Sequence, residues 1–591
     1  MRLPRQPIQG PVLKLPDNIS IEAFRRRLAT TNALPQLAVL GLLTGLVTAV
    51  VIISFRYLIE YSGIILFGMS DAENFESLDM LTRSSLVLGG ALLLGLLMHR
   101  YSPSARRVGV VHVMERLSRH QGYLPLRNAV IQFFGGAIAL ISGQSGGREG
   151  PAIHLGATAA SLLGQQSKLP NNSIRTMVAC GTAAAIASCF NTPIAGVIFA
   201  MEVVMMEYTV ASFVPIIVAS VSSTLVTQYF FGGEPAFTVG TEHTYSVLEI
   251  PYLVLGGLII GAFAAGFIQL IQAFARLASW PFYLRVTLAG GITAACALVL
   301  PQVLGVGYDT VNQIMVSEVS MLLLIGLLFA KALCSAATVG MGMPVGLIGP
   351  TMVIGACLGG IFGNALNLWQ GIDLSIGLYV MIGMCAMMAA VLQAPLAALM
   401  AVLEMTANTN IVLPAMVTIV VATIVTSQVF GQRSVYISTL NTLGLQYPPN
   451  PVTLHLQRIG VSAIMDRSFV RLPSSIPLAR AGEVIESGVR WILVENSEND
   501  NIRAALNSAD LAAFVHERDT EEKEVHLLEL PGERMDVTTI DALATAAQVQ
   551  DALIAAHVEA CVVTRTTAPL ITPITGIVTR RHLDNYRNFV E

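Results

Sequence analysis

Residues 143–151 read Gly143-Gln144-Ser145-Gly146-Gly147-Arg148-Glu149-Gly150-Pro151, and an apolar run from Ala152 to Leu163 follows. Proline suits the first turn of a helix, and the glycines ahead of it leave backbone N–H groups bare, so this is a helix start whose amides can face a ligand. The helix dipole adds roughly half a positive charge there. A charged side chain at membrane depth costs about 2.5–3.5 kcal/mol on insertion scales. Arg148 and Glu149 need a reason to sit in such surroundings, and a path for an anion supplies one.

The surroundings are membrane-like. Of 591 residues 54% are hydrophobic and 12% charged, which is the balance of a polytopic membrane protein. Arg2, Arg5, Lys14, Arg25, Arg26 and Arg27 outnumber Asp17 and Glu22 in residues 1–30, with no short apolar core and cleavage site behind them. That pattern is not a signal peptide, and it predicts a cytoplasmic basic N-terminus leading into Leu37–Ile59. Further apolar stretches run from 84–99 to 411–430, and several are too short for ~30 Å of hydrocarbon at 1.5 Å per residue. Gly and Pro interrupt them, as in helices that stop part-way and line a cavity. Residues 451–591 differ, with 13 basic and 20 acidic residues and short β-branched runs such as Trp491–Val494 and Ala560–Val563 beside a helical pattern at Thr545–Ala556. This is a soluble α/β tail, with exposed loops expected at 496–502 and 517–524. The seven cysteines are scattered in apolar surroundings and read as buried small hydrophobes. His112, His154 and His582 lack ligand spacing, so no metal is expected.

An internal repeat divides the membrane part. Gly150-Pro151, Gly156-Ala157 and Gly164 return 199 residues later as Gly349-Pro350, Gly355-Ala356 and Gly363. Pro193 precedes Glu202 by nine residues, as Pro395 precedes Glu404. Broken helices in corresponding positions point to a binding site between the halves, near the midplane; helix packing by small residues is the alternative reason for the glycines.

Three motifs, Gly147-Arg148-Glu149-Gly150-Pro151, Gly346-Leu347-Ile348-Gly349-Pro350 and Ser434-Val435-Tyr436, together resemble the CLC chloride channels and chloride/proton antiporters. The resemblance implies an all-α polytopic membrane domain over residues 31–445, with about 18 partly broken helices in two inverted repeats. It implies a cytoplasmic CBS-domain pair over 446–591, both termini cytoplasmic, and a homodimer with one pore per subunit. No enzymatic activity, required cofactor or nucleic-acid partner is expected; chloride is the expected bound substrate. The anion-binding positions it implies are Val108, Gly109, Arg148, Gly150, Leu347, Ile348 and Tyr436. Leu347 and Ile348 would act through backbone amides and Tyr436 through its hydroxyl. Arg148 is either a pore charge or a partner for carbonyls. Glu149 would be the gate: its carboxylate is a tethered anion competing for the same amides, and protonation would release it.

Two departures bear on function. The family's Gly-Ser-Gly-Ile-Pro loop falls on Arg107-Val108-Gly109-Val110-Val111, so the serine donor is lost and the preference for chloride is open. Proton-exchanging members carry a glutamate where Val203 stands, and Val203 cannot ionise. Glu202 is one residue, about 100° of helix, away; it and Glu404 read as structural. The valine leans the reading toward channel-like conduction, with a chloride/proton antiporter and a transport-inert nucleotide sensor as rivals. In the tail, the resemblance places nucleotide contacts at Ser508, Asp510 and Thr579, with His582 where Asp is usual. An adenine nucleotide there and a purely structural tail both remain open.

Overall fold

The computed structural model describes residues 24, 28, 33–68, 74–237, 247–316, 319–370, 375–442, 444, 451–496, 502–517, 524–565 and 573–588. Most of the basic N-terminus and the centres of the two expected tail loops lie outside the described residues. Leu37–His455 form one compact unit; Leu456–Glu591, with residues up to Gln36, form another.

Among the described residues, seventeen α-helices lie between Leu34 and Thr442, and nine helices are long and apolar enough to cross a membrane. The first, Leu34–Phe67, has 34 residues, about 50 Å at 1.5 Å per residue, so it tilts in or overhangs ~30 Å of hydrocarbon. Outward side chains are apolar: Val50 is 62%, Leu81 80% and Leu322 81% exposed. A soluble protein would have polar groups there.

Apolar side chains on every face mark a helix for the interior, and two such helices form the centre. Asn171–Phe190 and Ile376–Leu392 are buried along almost their whole length. Each packs against one Gly-Pro helix, Glu149–Gln166 and Ile348–Gln370 respectively. Small residues set the distance. A methyl on Gly156 would come 2.4 Å from the Gly181 carbonyl oxygen, and one on Gly355 2.4 Å from that of Gly383. The same backbone approach thus occurs once in each half, which the 199-residue repeat anticipated. Three short helices escaped the hydropathy reading: Gly109–Arg119, Tyr308–Met315 and Val435–Thr442. They are polar or amphipathic and 8 to 11 residues long. Six cysteines are buried as expected, but Cys296 is only partly so, because it lies on the largely exposed helix Phe282–Val299.

The tail is one unit written twice. Strands β1 (Phe469–Leu472), β2 (Ser475–Pro477), β3 (Trp491–Glu495), β4 (Ile502–Asn507), β5 (Glu524–His526), β6 (Met535–Asp541), β7 (Ala560–Thr564) and β8 (Ile574–Thr579) include a six-stranded sheet of order β1-β3-β4-β6-β7-β8. In the first copy β1 crosses over the helix Leu478–Glu486 to parallel β3, which turns back antiparallel as β4. In the second, β6, Ala546–Ala556, β7 and β8 repeat that path. The copies join where Ala504 and Ala505 of β4 pair with Asp536 and Met535 of β6. β3 and β7 are apolar runs buried at four of five positions, as central strands require. Thr545 starts the second copy's helix with a reciprocal capping box to Gln548.

Candidate functional site

The two Gly-Pro helix starts meet. Gly147 and Gly346 form an antiparallel bridge, with Gly147 N–H donating to the Gly346 carbonyl at 2.9 Å and Gly346 N–H to the Gly147 carbonyl at 2.6 Å. The Glu149 carboxylate lies over this bridge, wholly buried. Its Oε1 accepts the Ile348 N–H at 2.5 Å, so a side chain of the first half occupies the helix start of the second. A β-carbon on Gly147 would lie 1.9 Å from Glu149 Oε2, and one on Gly346 2.1 Å from Oε1. The glycines are a cradle for the carboxylate. Glu149 Oε2 has no hydrogen-bond partner among the described residues.

Ile348 thus holds, by its amide, a carboxylate at a helix N-terminus, where an anion is favoured by free N–H groups and by the dipole. Leu347 is buried beside it. Gly150 is pressed against the Gly346 backbone, with a would-be methyl 2.8 Å from the Gly346 Cα.

Tyr436 rides on the helix Val435–Thr442, which packs against Gly109–Arg119. Its ring is buried, it lies within the field of the Glu149 charge, and its hydroxyl has no hydrogen-bond partner among the described residues. A buried O–H without an acceptor is costly, and an anion would satisfy it. Val108 precedes Gly109–Arg119 in extended conformation and makes no side-chain cap; its isopropyl group offers no donor. Asn128 pins this loop by donating to the Ser104 and Arg107 carbonyls at 3.0 and 2.9 Å. The Arg107 guanidinium is ion-paired with Glu115, which offsets the charge it could lend an anion.

Arg148 is turned another way. Its guanidinium stands 5.8 Å from both the Phe190 and Tyr308 ring centroids and 4.0 Å from Glu60. With Arg56, Asn191 and Asp309 it lines a cavity of about 410 Å³. It therefore borders an antechamber that holds both signs of charge. A buried lysine shapes the wall: Lys331 donates to the Val303 and Gly305 carbonyls at 3.0 and 2.9 Å, and Gly305 lines the cavity.

The paired glutamates cap across the repeat. Glu202 accepts from Leu396 and Ala397 N–H at 3.3 and 2.8 Å. Glu404 accepts from Ile194 and Ala195 N–H at 2.9 and 2.8 Å. Each carboxylate sits on the helix start of the other half. Val203, in the π-helical turn Ala200–Met205, is buried. His112 and His154 are brought into contact, Nδ1 of one 2.9 Å from Nε2 of the other. Nothing in their 42-residue separation signalled this. Among the described residues no cluster of three or more His, Cys, Asp or Glu suits a metal.

In the tail, Ser508 lines a cavity of about 590 Å³ together with Asp466, Ser468 and Arg490. Asp510 is two residues on and faces the other side of the helix, against Gly532, and Thr579 caps the last helix by accepting the His582 N–H at 3.3 Å. Burial and the Arg490 charge hold the His582 imidazole below its usual range.

Facing helix starts, bridged glycine to glycine around a carboxylate inside a membrane bundle, define an anion transporter built from two half-repeats. Residues 90–427 match the family described as voltage gated chloride channel, and the chain belongs to that family: it is a multi-pass membrane protein of anion transport and not an enzyme. It is 33% identical over 360 residues to a ClcB-like chloride channel protein of Ralstonia nicotianae, covering 59% of this chain and 83% of the relative. To the H(+)/Cl(-) exchange transporter ClcA of Vibrio cholerae it is 27% identical over 360 residues, covering 58% and 76%. The fold matches a slow cyanobacterial Cl-/H+ antiporter with a TM-score of 0.60 at 23% identity, over 72% of this chain and 99% of that one. It also matches a eukaryotic CLC transporter with a TM-score of 0.58 at 19% identity, over 95% and 98%, a span that takes in the tail.

Proposed function

We propose that the chain conducts chloride and similar small anions through a path gated by Glu149, channel-like rather than tightly coupled to protons. The observation that carries this is the Glu149 carboxylate on the Ile348 amide. It is an anion held where a free anion would be held, on a tether that protonation can release. Ile348, Leu347, Gly109 and Gly150 contribute backbone, Tyr436 its hydroxyl and Val108 an apolar wall. Arg148 acts one step outward, at the antechamber. Electrode-detected chloride efflux from liposomes is the test. Glu149→Gln should raise efflux at neutral pH toward the level wild type reaches in acid, and a Gln variant with wild-type efflux at neutral pH removes Glu149 from gating.

A second reading is a chloride/proton exchanger, as the ClcA relatives are named. Val203 speaks against it, and simultaneous chloride and proton flux decides: a fixed proton-to-chloride ratio over a range of gradients establishes exchange. A transport-inert sensor is disfavoured by the intact Glu149 and both Gly-Pro starts. The doubled β-α-β-β-α tail is read as a CBS pair, with both termini cytoplasmic and the assembly a homodimer. The cavity at Asp466, Ser468, Arg490 and Ser508 is its candidate adenine-nucleotide site, which titration with ATP tests.

A further inference from the structure

Two helices whose starts carry the candidate anion residues each bear a histidine a little more than one turn in. His112 follows Val108 by four residues and His154 follows Glu149 by five, about 6 and 7.5 Å of helical rise. The rings stack with centroids 5.1 Å apart and planes 28° from parallel, joined through Nδ1 of His112 and Nε2 of His154 at 2.9 Å. His112 is 5% exposed and His154 0%. His154 Nδ1 has no hydrogen-bond partner among the described residues.

Two neutral imidazoles bring two protons to four nitrogens, and one proton bridges. The unpartnered Nδ1 is then a donor without an acceptor or a lone pair without a donor, and burial makes either costly. One more proton keeps the N–H···N bridge, gives the pair a single positive charge and leaves the buried Nδ1 as an N–H that needs an acceptor. Such a buried cation needs an anion beside it.

The positive charges of Arg107 and Arg116 oppose a proton on the pair until an anion arrives, and each charged neighbour has a partner of its own. On His112's own helix and loop, Arg107 pairs with Glu115, Arg116 donates to the Tyr123 carbonyl, and His120 ends the helix. From Asn171–Phe190, Arg175 donates to the Leu117 carbonyl. From Leu126–Ile141, Arg127 lies over the Tyr101 ring, and in Ala200–Met205 Glu202 caps the opposite half. Glu149 holds the Ile348 amide, and Tyr436 brings a neutral hydroxyl.

We propose that His112 and His154 form a proton-binding site of the anion path, loaded with one shared proton when an anion occupies the adjoining helix starts. This rests on the anion-path reading above. It separates from a purely structural pin between helices, because a pin needs hydrogen bonds and not titration. Linkage is reciprocal: chloride binding takes up a proton, and protons tighten chloride.

The experiment uses the full chain in detergent, weakly buffered, in a Glu149→Gln background so that the gate cannot titrate. Chloride addition should take up as much as one proton per chloride bound, and acidification should tighten chloride about tenfold, within the usual range of coupling. His154→Gln and His112→Asn each keep a hydrogen-bonding amide, and each should abolish both effects while preserving chloride binding and thermal stability. Chloride binding with no proton uptake, or uptake that survives both histidine variants, overturns this inference alone. Absence of chloride binding in wild type and variants alike overturns the anion-path reading and this inference with it.

Discussion

Gly147→Ala is the sharpest probe of the gate, because the cradle leaves room for nothing but the carboxylate. The three atoms nearest a β-carbon at this position are Oε2, Oε1 and Cδ of Glu149, at 1.9, 2.4 and 2.5 Å. Gly147 is not in the left-handed region, so alanine strains no backbone there. The obstruction is the movable end of one side chain, and the carboxylate must leave. Leaving forfeits the charge-assisted bond from Ile348, about 1.5–3 kcal/mol, or about ten- to a hundredfold in the ratio of seated to displaced gate. Chloride efflux from liposomes at neutral pH should rise toward the level wild type reaches only in acid, with a flattened pH profile. In a Glu149→Gly background, where the clash has no partner, Gly147→Ala should change nothing further. Gly346→Ala is a poorer probe, since its β-carbon also meets the Gly150 backbone nitrogen at 2.5 Å. A folded Gly147→Ala protein with wild-type pH dependence would refute the cradle argument.

Val108→Ser should tighten chloride about ten- to a hundredfold by restoring a donor to the anion; equal affinities by calorimetry, in both the native and Arg107→Gln backgrounds, would show the hydroxyl irrelevant. Glu202→Gln and Glu404→Gln should each cost about 1 kcal/mol through weakened capping, read as lowered thermal stability with the flux–pH profile unmoved. A moved profile at unchanged stability would assign them to the transport path instead. Lys331→Met leaves two buried carbonyls without their donor and should cost about 1.5–3 kcal/mol. Unfolding in detergent measures it, and an unchanged transition would show the lysine dispensable.

Much of this was legible in the chain because it depends on local chemistry. Gly-Pro starts, their 199-residue recurrence and the Pro-to-Glu spacing mark where helices begin, and β-branched runs mark β3 and β7. Partners across the repeat were not legible. Glu149 reads as a gate over amides, but that the amide it holds is Ile348 of the other half was not legible; Glu202 and Glu404 looked symmetric without revealing that each serves the other half. The direction of Arg148, and the meeting of His112 with His154, depend on how helices rotate against neighbours, which spacing along one helix does not encode. Ser508 and Asp510 are two residues apart and read as one motif, but a helix turns about 200° over two residues, and only Ser508 faces the cavity.

The exchanged carboxylates have a consequence for biogenesis. The ribosome delivers Pro193 and Glu202 about two hundred residues before Pro395 and Glu404 exist. Until then the helix start at Pro193 has no acceptor for the Ile194 and Ala195 amides, and Glu202 has nothing to accept. In lipid such groups are expensive to leave bare, so an early half waits as an unfinished object, and contacts this distant in sequence form late. The same incompleteness makes each half a template for the other: two fragments divided after Gly233 and inserted separately carry mutually matching, unsatisfied ends. Their reassembly into a working transporter, and the poorer reassembly of a pair lacking either glutamate, would follow from a fold in which neither half can cap itself.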